Sequence, residues 1–470
     1  MSNFAIQKIT ETNMNRDKLD FGNDTIGILF RSMFFPTLIA MIFNSMLNLC
    51  DGMFVGHKVG SDALAAINIV APIFLMCMGI GLMFGIGASV IGGIRMSENN
   101  MKATHIIMTQ AFIVGTVIFL LIVAGCLIFT NEVLDLLGCS ELLRPYASDY
   151  LLWLMPGLPL LFIECCGMML IRLDGAPKTA MTIQVLAASA NILLDWVLVY
   201  PMDLGLKGAA IATSISCAIA ALPILIYFGW FSNRLKYYRL KRTWKSIRLT
   251  LRNTGYIIKI GFATFVAEMA MGVMMVTGNY MFMERLGENG VAAYSIGCYL
   301  FPIIFSITNA VAQSAQPIIS FNYGARNMDR VRKTLKIAVS TGIICGVIVS
   351  LSMALAAPLL CGIFLPSGTP AFGLAAKGLP LLGTCAIFFA LNITFIGYYQ
   401  SIERSLRSTV YMFMRGIVFL VPSFLILPKI IGNDGLWLAI PTAECLTFIF
   451  IIISYLTLRM KTMAVNHARS

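Results

Sequence analysis

The chain has 470 residues, 58% hydrophobic and 12% charged, with a net charge of +12 and a mean hydropathy of +0.83. A soluble domain carries about 25% charged residues, so this composition excludes a water-soluble fold. A transmembrane barrel is excluded as well, because its alternating segments of about 10 residues are absent, which leaves an all-α integral membrane protein.

Residues 1–32 are polar, mixed in charge and free of a signal peptide, and they read as a cytoplasmic leader. Twelve apolar runs follow, each near the roughly 20 residues that a spanning helix needs. They predict spans at 33–56, 66–92, 105–129, 149–171, 179–201, 206–230, 256–283, 289–317, 334–359, 374–399, 407–431 and 435–458. The first six form an amino-terminal lobe over 33–230. Residues 231–255, FSNRLKYYRLKRTWKSIRLTLRNTG, form a basic cytoplasmic linker. It serves as an orientation signal and tether, or as a contact for anionic headgroups. The carboxy-terminal lobe covers 256–460, and 461–470 is a cytoplasmic tail. With both termini inside, cytoplasmic segments hold 24 of the 34 Lys and Arg and the six outer loops hold three between them, the other seven lying within spans. That asymmetry is the positive-inside rule. The positive charge therefore reflects orientation in a lipid bilayer, not nucleic-acid binding.

Sliding the sequence by 227 positions brings Phe35, Thr37 and Ala40 onto Phe262, Thr264 and Ala267. The same shift brings Gly60, Ala65, Ala66 and Ile69 onto Gly287, Ala292, Ala293 and Ile296, and Asn100 and Met101 onto Asn327 and Met328. Six is even, so both halves enter the membrane the same way up. Two six-helix repeats are expected, related by a pseudo-two-fold along the membrane normal. Such halves are typical of secondary transporters, with sites near their interface.

The acids break the repeat. Asp51 falls opposite Gly278, and Glu268 opposite Met41. Asp195 meets Pro422, Ser423 or Phe424 at neighbouring offsets. Asp51, Asp195 and Thr213 all fall roughly 9–11 Å below the outer surface, counted at about 1.5 Å per residue. Asn191 precedes Asp195 by four residues and shares its helix face. Converging spans one, five and six would gather Asp51, Asn191, Asp195 and Thr213 into one oxygen-rich cluster. Two close carboxylates repel one another until a proton or cation relieves them, and oxygen ligands suit a hard cation such as Na⁺. The alternative is a hydrogen-bonded pair that fixes helix packing.

Glu268, near the middle of span seven, is a candidate for binding cationic cargo or a proton, against a buried structural acid. Glu164 and Glu444 are candidates for lining the cavity. Gln313 and Gln316 suit interhelical hydrogen bonds, and the glycines of GIGLMFGIG (79–87) suit close helix packing. Flexible, polarizable Met among the 29 present suits a cavity for varied ligands. The twelve cysteines lack metal or disulfide spacing. There is no Walker loop, only three histidines occur, and none lies deep in a span.

The segments PTLIAMIFNSMLNLCDGMFVGHKVGSDALAAINI (36–69), RLDGAPKTAM with NILLDWVLVYPMDLGLKGAAIAT (172–213), and QPIISFNYGARNMDRV (316–331) resemble the multidrug and toxic compound extrusion (MATE) family. The resemblance covers essentially all twelve spans. In the DinF-like branch it implies a cation site at Asp51, Asn191, Asp195 and Thr213, and a span-one proline linked to bending at Pro36. In the other major branch the carboxylates lie in the carboxy-terminal lobe. Glu268 matches one of these, but no acid stands along 374–399.

The expected function is secondary active export of amphipathic, often cationic, organic compounds against Na⁺ or H⁺. The protein is expected to be a monomer in the cell membrane, with no cofactor and no enzymatic activity. The other reading is a flippase for a lipid-linked precursor. An anionic headgroup would favour Lys or Arg in the cavity, and the deep ionisable residues counted in the sequence are acids, which favours cationic cargo.

Overall fold

A computed structural model describes residues 19–59, 61–241 and 243–467, with side-chain detail excluding 48, 49, 51–53, 56, 57, 61, 62, 64 and 458–467. Hydrocarbon offers no partner for N–H or C=O groups, so the apolar runs close their backbone bonds within helices. In chain order these are α1 (Ile26–Lys58), α2 (Ser61–Ser97), α3 (Met101–Ile128), α4 (Thr130–Leu136), α5 (Arg144–Leu154), α6 (Leu158–Leu173), α7 (Pro177–Val199) and α8 (Gly205–Ile226). There follow α9 (Trp244–Gly324), α10 (Met328–Leu355), α11 (Ala357–Phe364), α12 (Pro370–Gly383), α13 (Cys385–Ser401), α14 (Ser405–Phe413), α15 (Leu420–Ile431) and α16 (Asp434–His467). Ile113, Val117, Leu120 and Leu121 on α3 stay exposed, as lipid-facing side chains do.

Among the described residues, twelve passages result when α9 counts as two and α12 with α13 as one. The 81 residues of α9 would span about 120 Å at 1.5 Å per residue, four bilayer cores. The helix breaks at Gly287, where φ is 62° and ψ −155°, a conformation open to glycine and strained for other residues. Its limbs are therefore two passages. Helices α12 and α13 meet at a 41° bend and share one passage, so the run expected as a single span at 374–399 is broken. Helices α5 and α6 also share a passage, interrupted by a 3₁₀ turn at Met155–Gly157.

The repeat is visible in the backbone. Asn99 (φ 56°) and Arg326 (φ 58°) lie 227 positions apart, as do Gly205 (φ 54°) and Gly432 (φ 68°). The Asn100 side chain accepts from Ala103 N–H at 3.1 Å, and Asn327 repeats this cap with Arg330 N–H at 3.2 Å.

The halves meet most closely where α2 crosses the first limb of α9. A Cβ at Gly87 would collide with the Ile257 carbonyl, and one at Gly261 with the Met83 carbonyl. The two backbones touch because both helices present glycine at the crossing. The segment before α1 straps the same end of the molecule. Buried Phe21 offers its carbonyl to Asn322 Nδ2 at 3.0 Å and Arg330 Nη2 at 2.9 Å, and Arg330 Nη2 also reaches the Asp24 carbonyl at 2.7 Å.

The basic stretch expected as a linker over 231–255 is only partly that. Thr243 caps α9, which begins at Trp244, so the second half of the stretch extends the seventh passage. The first half is pinned to the amino-terminal half. Buried Asp174 accepts from Tyr227 Oη at 2.5 Å, Asn233 N–H at 2.6 Å, and Arg234 and Leu235 N–H at 2.8 Å each.

Replacing Gly261 by leucine should push the α2–α9 crossing apart. Overpacking of this kind costs about 1–3 kcal/mol or more, so the thermal midpoint of the purified protein should fall. An unchanged midpoint would contradict the crossing.

Candidate functional site

Helix α7 carries a polar stripe at Gln184, Asn191 and Asp195, seven and four residues apart, which a 3.6-residue period places on one face. Apolar residues fill the rest of its membrane-facing surface, including exposed Leu186, Leu193 and Trp196. The stripe turns toward α1, α6 and α8.

At the carboxy-terminal end of the stripe, Asn191 and Asp195 are fully buried. In the amide orientation that satisfies its neighbours, Asn191 donates to Asp195 Oδ2 at 2.9 Å and accepts from the Thr213 backbone N–H at 3.2 Å. The Ser216 hydroxyl stands 3.4 Å from the same amide and donates to the Thr213 carbonyl at 2.8 Å. The Thr213 hydroxyl donates to the Ala209 carbonyl at 3.0 Å, which leaves its lone pairs for another partner. Asn191 and Asp195 thus pair on α7, and Thr213 of α8 meets Asn191 through its backbone N–H, with its hydroxyl turned to Ala209. Asp51 belongs to α1, but its side chain lies outside the described residues. Pro36 sits inside α1, which runs through it without a break.

Deeper along the stripe, Gln184 donates to Glu164 Oε1 at 3.0 Å and to Asn44 Oδ1 at 3.4 Å. These three residues line a cavity of about 900 Å³, counted with its open mouth, together with Thr213, Ser216, Arg172 and Gln313. Met41, Met78, Met168 and Met169 supply its apolar wall. A second cavity of about 630 Å³ holds Glu268, Asn309, Gln316 and Gln400. Met41, Asn44, Met78, Leu82 and Gln313 line both, so the two adjoin at the junction of the halves. Gln316 donates to Gln400 Oε1 at 3.1 Å, which is the interhelical use expected of it.

Glu444 differs from the expectation. Arg415 Nε donates to its Oε1 at 2.6 Å and Asn392 Nδ2 to its Oε2 at 2.8 Å, and Glu444 lines neither junction cavity but, with Arg415, a separate small pocket. The Arg415 guanidinium also lies 3.9 Å from the centre of the Phe389 ring. A buried acid with its own buried cation and amide is electrically complete. Pattern alone does not reveal this partner, because it sits 29 residues earlier on another element.

Arg172 was missed altogether. The expected fourth span stops at 171, which makes Arg172 a loop residue. In the structure it is the penultimate residue of α6, 5% exposed, and part of the cavity wall. The deep ionisable residues are thus not acids alone. A fourth span extended by two residues would have exposed the signal.

A buried carboxylate is retained only where donors, a cation or a proton neutralise it. Around Asp195 stand the Asn191 amide, with its nitrogen turned to the carboxylate and its oxygen taken by the Thr213 N–H, and the hydroxyls of Thr213 and Ser216. Glu164 and Glu268 border the two adjoining cavities instead.

Among curated proteins, Multidrug export protein MepA of Staphylococcus saprophyticus is 23% identical over 409 residues, covering 87% of this chain and 89% of its own length. Multidrug export protein MepA of Staphylococcus haemolyticus is 24% identical over 425 residues, covering 89% and 91%. A solved structure of MATE in complex with MaL6 shares the fold, with a TM-score of 0.86 at 19% identity over 95% of this chain and 98% of that one. The MatE family model matches residues 36–197 and again 263–425, segments whose starts repeat the 227-residue shift of the backbone. With well over half its length matched in these two copies, the chain belongs to the MatE family.

Proposed function

We propose that this protein is a secondary active multidrug exporter that moves amphipathic, often cationic, organic compounds out across the cell membrane by alternating access, driven by Na⁺ or H⁺. The observation that carries the reading is the pairing, within one half, of a buried Asn191–Asp195–Thr213 cluster with a Met-walled cavity holding Glu164. The similarity to multidrug export proteins supports it.

In this reading Asp51 joins Asn191, Asp195 and Thr213 to hold the coupling ion, as in the DinF-like branch. The ion neutralises the carboxylates and alters α1 around Pro36, which reshapes the adjoining cavity. Ion and cargo shift the same equilibrium, each only through its differential affinity for the two states, and their coupling is reciprocal. Glu268 faces the second cavity as an auxiliary site for cargo or a proton. The protein works as a monomer, needs no cofactor, and keeps both termini in the cytoplasm.

A second reading, a flippase for a lipid-linked precursor, draws support from Arg172 in the cavity wall. An anionic headgroup needs such a cation.

The test is ethidium efflux from reconstituted vesicles under separately imposed Na⁺ and H⁺ gradients. One of the two gradients should drive export. Asp195→Asn, reconstituted at equal density, should abolish gradient-driven efflux. Full efflux by that variant would remove Asp195 from the coupling site, while movement of a fluorescent lipid but no dye would favour the flippase.

Orientation has its own test. Lys245→Cys in intact cells should react with a membrane-impermeant thiol reagent, above the background of the twelve native cysteines, only after permeabilisation. Labelling from outside would invert the topology.

A further inference from the structure

The start of α1 faces the start of α10 across an open cleft of about 850 Å³, counted with its mouth. Asn23, Thr25, Gly27, Arg330, Lys333 and Lys336 are in its wall. Helix α1 belongs to the amino-terminal half and α10 to the carboxy-terminal half, so the cleft lies on their junction. A Cβ built at Gly27 meets nothing within 4 Å, which leaves the α1 side open. Three cations and no acid line the cleft. Arg330 is fixed by neutral oxygens: Nε donates to Asn322 Oδ1 at 2.8 Å, and Nη2 to the Phe21 and Asp24 carbonyls at 2.9 and 2.7 Å. Lys333 and Lys336 are exposed and form no ion pair among the described residues. The nearby acids are engaged elsewhere. Asp20 accepts from Gly22 N–H and Asn23 Nδ2, Asp24 accepts from Asp20 N–H, and Asp329 lies 3.8 Å from Arg332.

Both helices lead from this cleft into lipid. On α10 the exposed series Lys336, Ser340, Ile344 and Val347 recurs at helical spacing, and on α1 the exposed series Ile28, Arg31, Phe35 and Ile39 does the same. Each series begins polar or at the helix start and turns apolar within the span. The cationic cleft therefore stands at headgroup level, above two lipid-facing strips. In the proposed orientation this is the cytoplasmic edge, where basic pockets between spanning helices suit anionic headgroups.

We propose that this cleft binds the phosphate of an anionic phospholipid, with Lys333 and Lys336 as its cationic wall and the acyl chains lying on the exposed strips of α1 and α10. The phosphate supplies the anion that the three cations lack. Arg330 adds charge from a fixed position, while the two lysines are free to close on the headgroup. A lipid seated here touches both halves at once. The site is separate from the two junction cavities and from the basic stretch that connects the halves. Only the choice of leaflet rests on the proposed orientation, which labelling at Lys245→Cys reads independently.

The test is equilibrium binding of acyl-labelled phosphatidylglycerol and phosphatidylcholine to the purified full-length protein in neutral-detergent micelles. The wild type should prefer phosphatidylglycerol by about tenfold or more. In the double variant Lys333→Gln, Lys336→Gln the affinity for phosphatidylglycerol should fall about tenfold, and that for phosphatidylcholine should not change. The double variant Lys241→Gln, Lys245→Gln removes the same charge from the connecting stretch and should change either affinity by less than about twofold. All four lysines are exposed, so both variants should keep the wild-type thermal midpoint without lipid. No preference in the wild type would overturn the proposal. So would equal losses in the two variants, which would reduce the effect to net charge. Displacement of the lipid by glycerol 1-phosphate at the lipid's own concentration would assign the cleft to a soluble phosphate compound and overturn it as well.

Discussion

The bilayer supplies neither donors nor acceptors, so every polar group this chain carries into it must be answered from within the protein or from a cavity. The helices answer for the backbone. The side chains divide into two kinds. Glu444 is closed: Arg415 and Asn392 occupy its oxygens. Asp174, at the membrane edge, is also closed, with four donors on one carboxylate. Glu164, Glu268 and Arg172 border open volume instead. The same physical demand is thus met by built-in partners at some of these groups, while others stand at a cavity wall.

This division falls along the internal repeat. The two halves share left-handed turns and helix caps in one register, so their backbones follow one plan. Their chemistry does not. In the amino-terminal half, α7 carries Gln184, Asn191 and Asp195 along one face. In the carboxy-terminal half, the corresponding region is built around the Arg415–Glu444 pair. A repeated scaffold thus carries unequal interiors, a polar stripe in one half and a buried ion pair in the other.

Much of this was legible in the sequence because it depends on short-range periodicity. Hydropathy gave the passages, the 227-residue shift gave the repeat, and a four-residue spacing put Asn191 and Asp195 on one face. Interruptions were less legible. The turn at Gly287 and the bend between α12 and α13 are conformational features that an apolar run does not encode. Contacts between distant helices were not legible either. Nothing near Glu444 in the sequence identifies Arg415, and nothing near Gln184 identifies Asn44 or Glu164. Arg172 was obscured for another reason: a positive charge at the end of an apolar run reads as loop under the positive-inside rule, although the helix continues past it and buries it. Asp51, singled out by depth, lies where side chains are not described.

The pinning of the connecting segment has a mechanical consequence. Asp174 grips it at Asn233, Arg234 and Leu235, and Thr109 Oγ1 accepts from Tyr238 N–H at 2.9 Å. Helix α9 begins at Trp244. Only five residues separate the last grip from that rigid rod, and at about 3.5 Å per residue their reach is near 20 Å. What looked like a long leash is a short one. The halves cannot drift apart as tethered bodies; they can pivot about a nearly fixed point at one edge. At that edge the two halves are held within this short reach of one another.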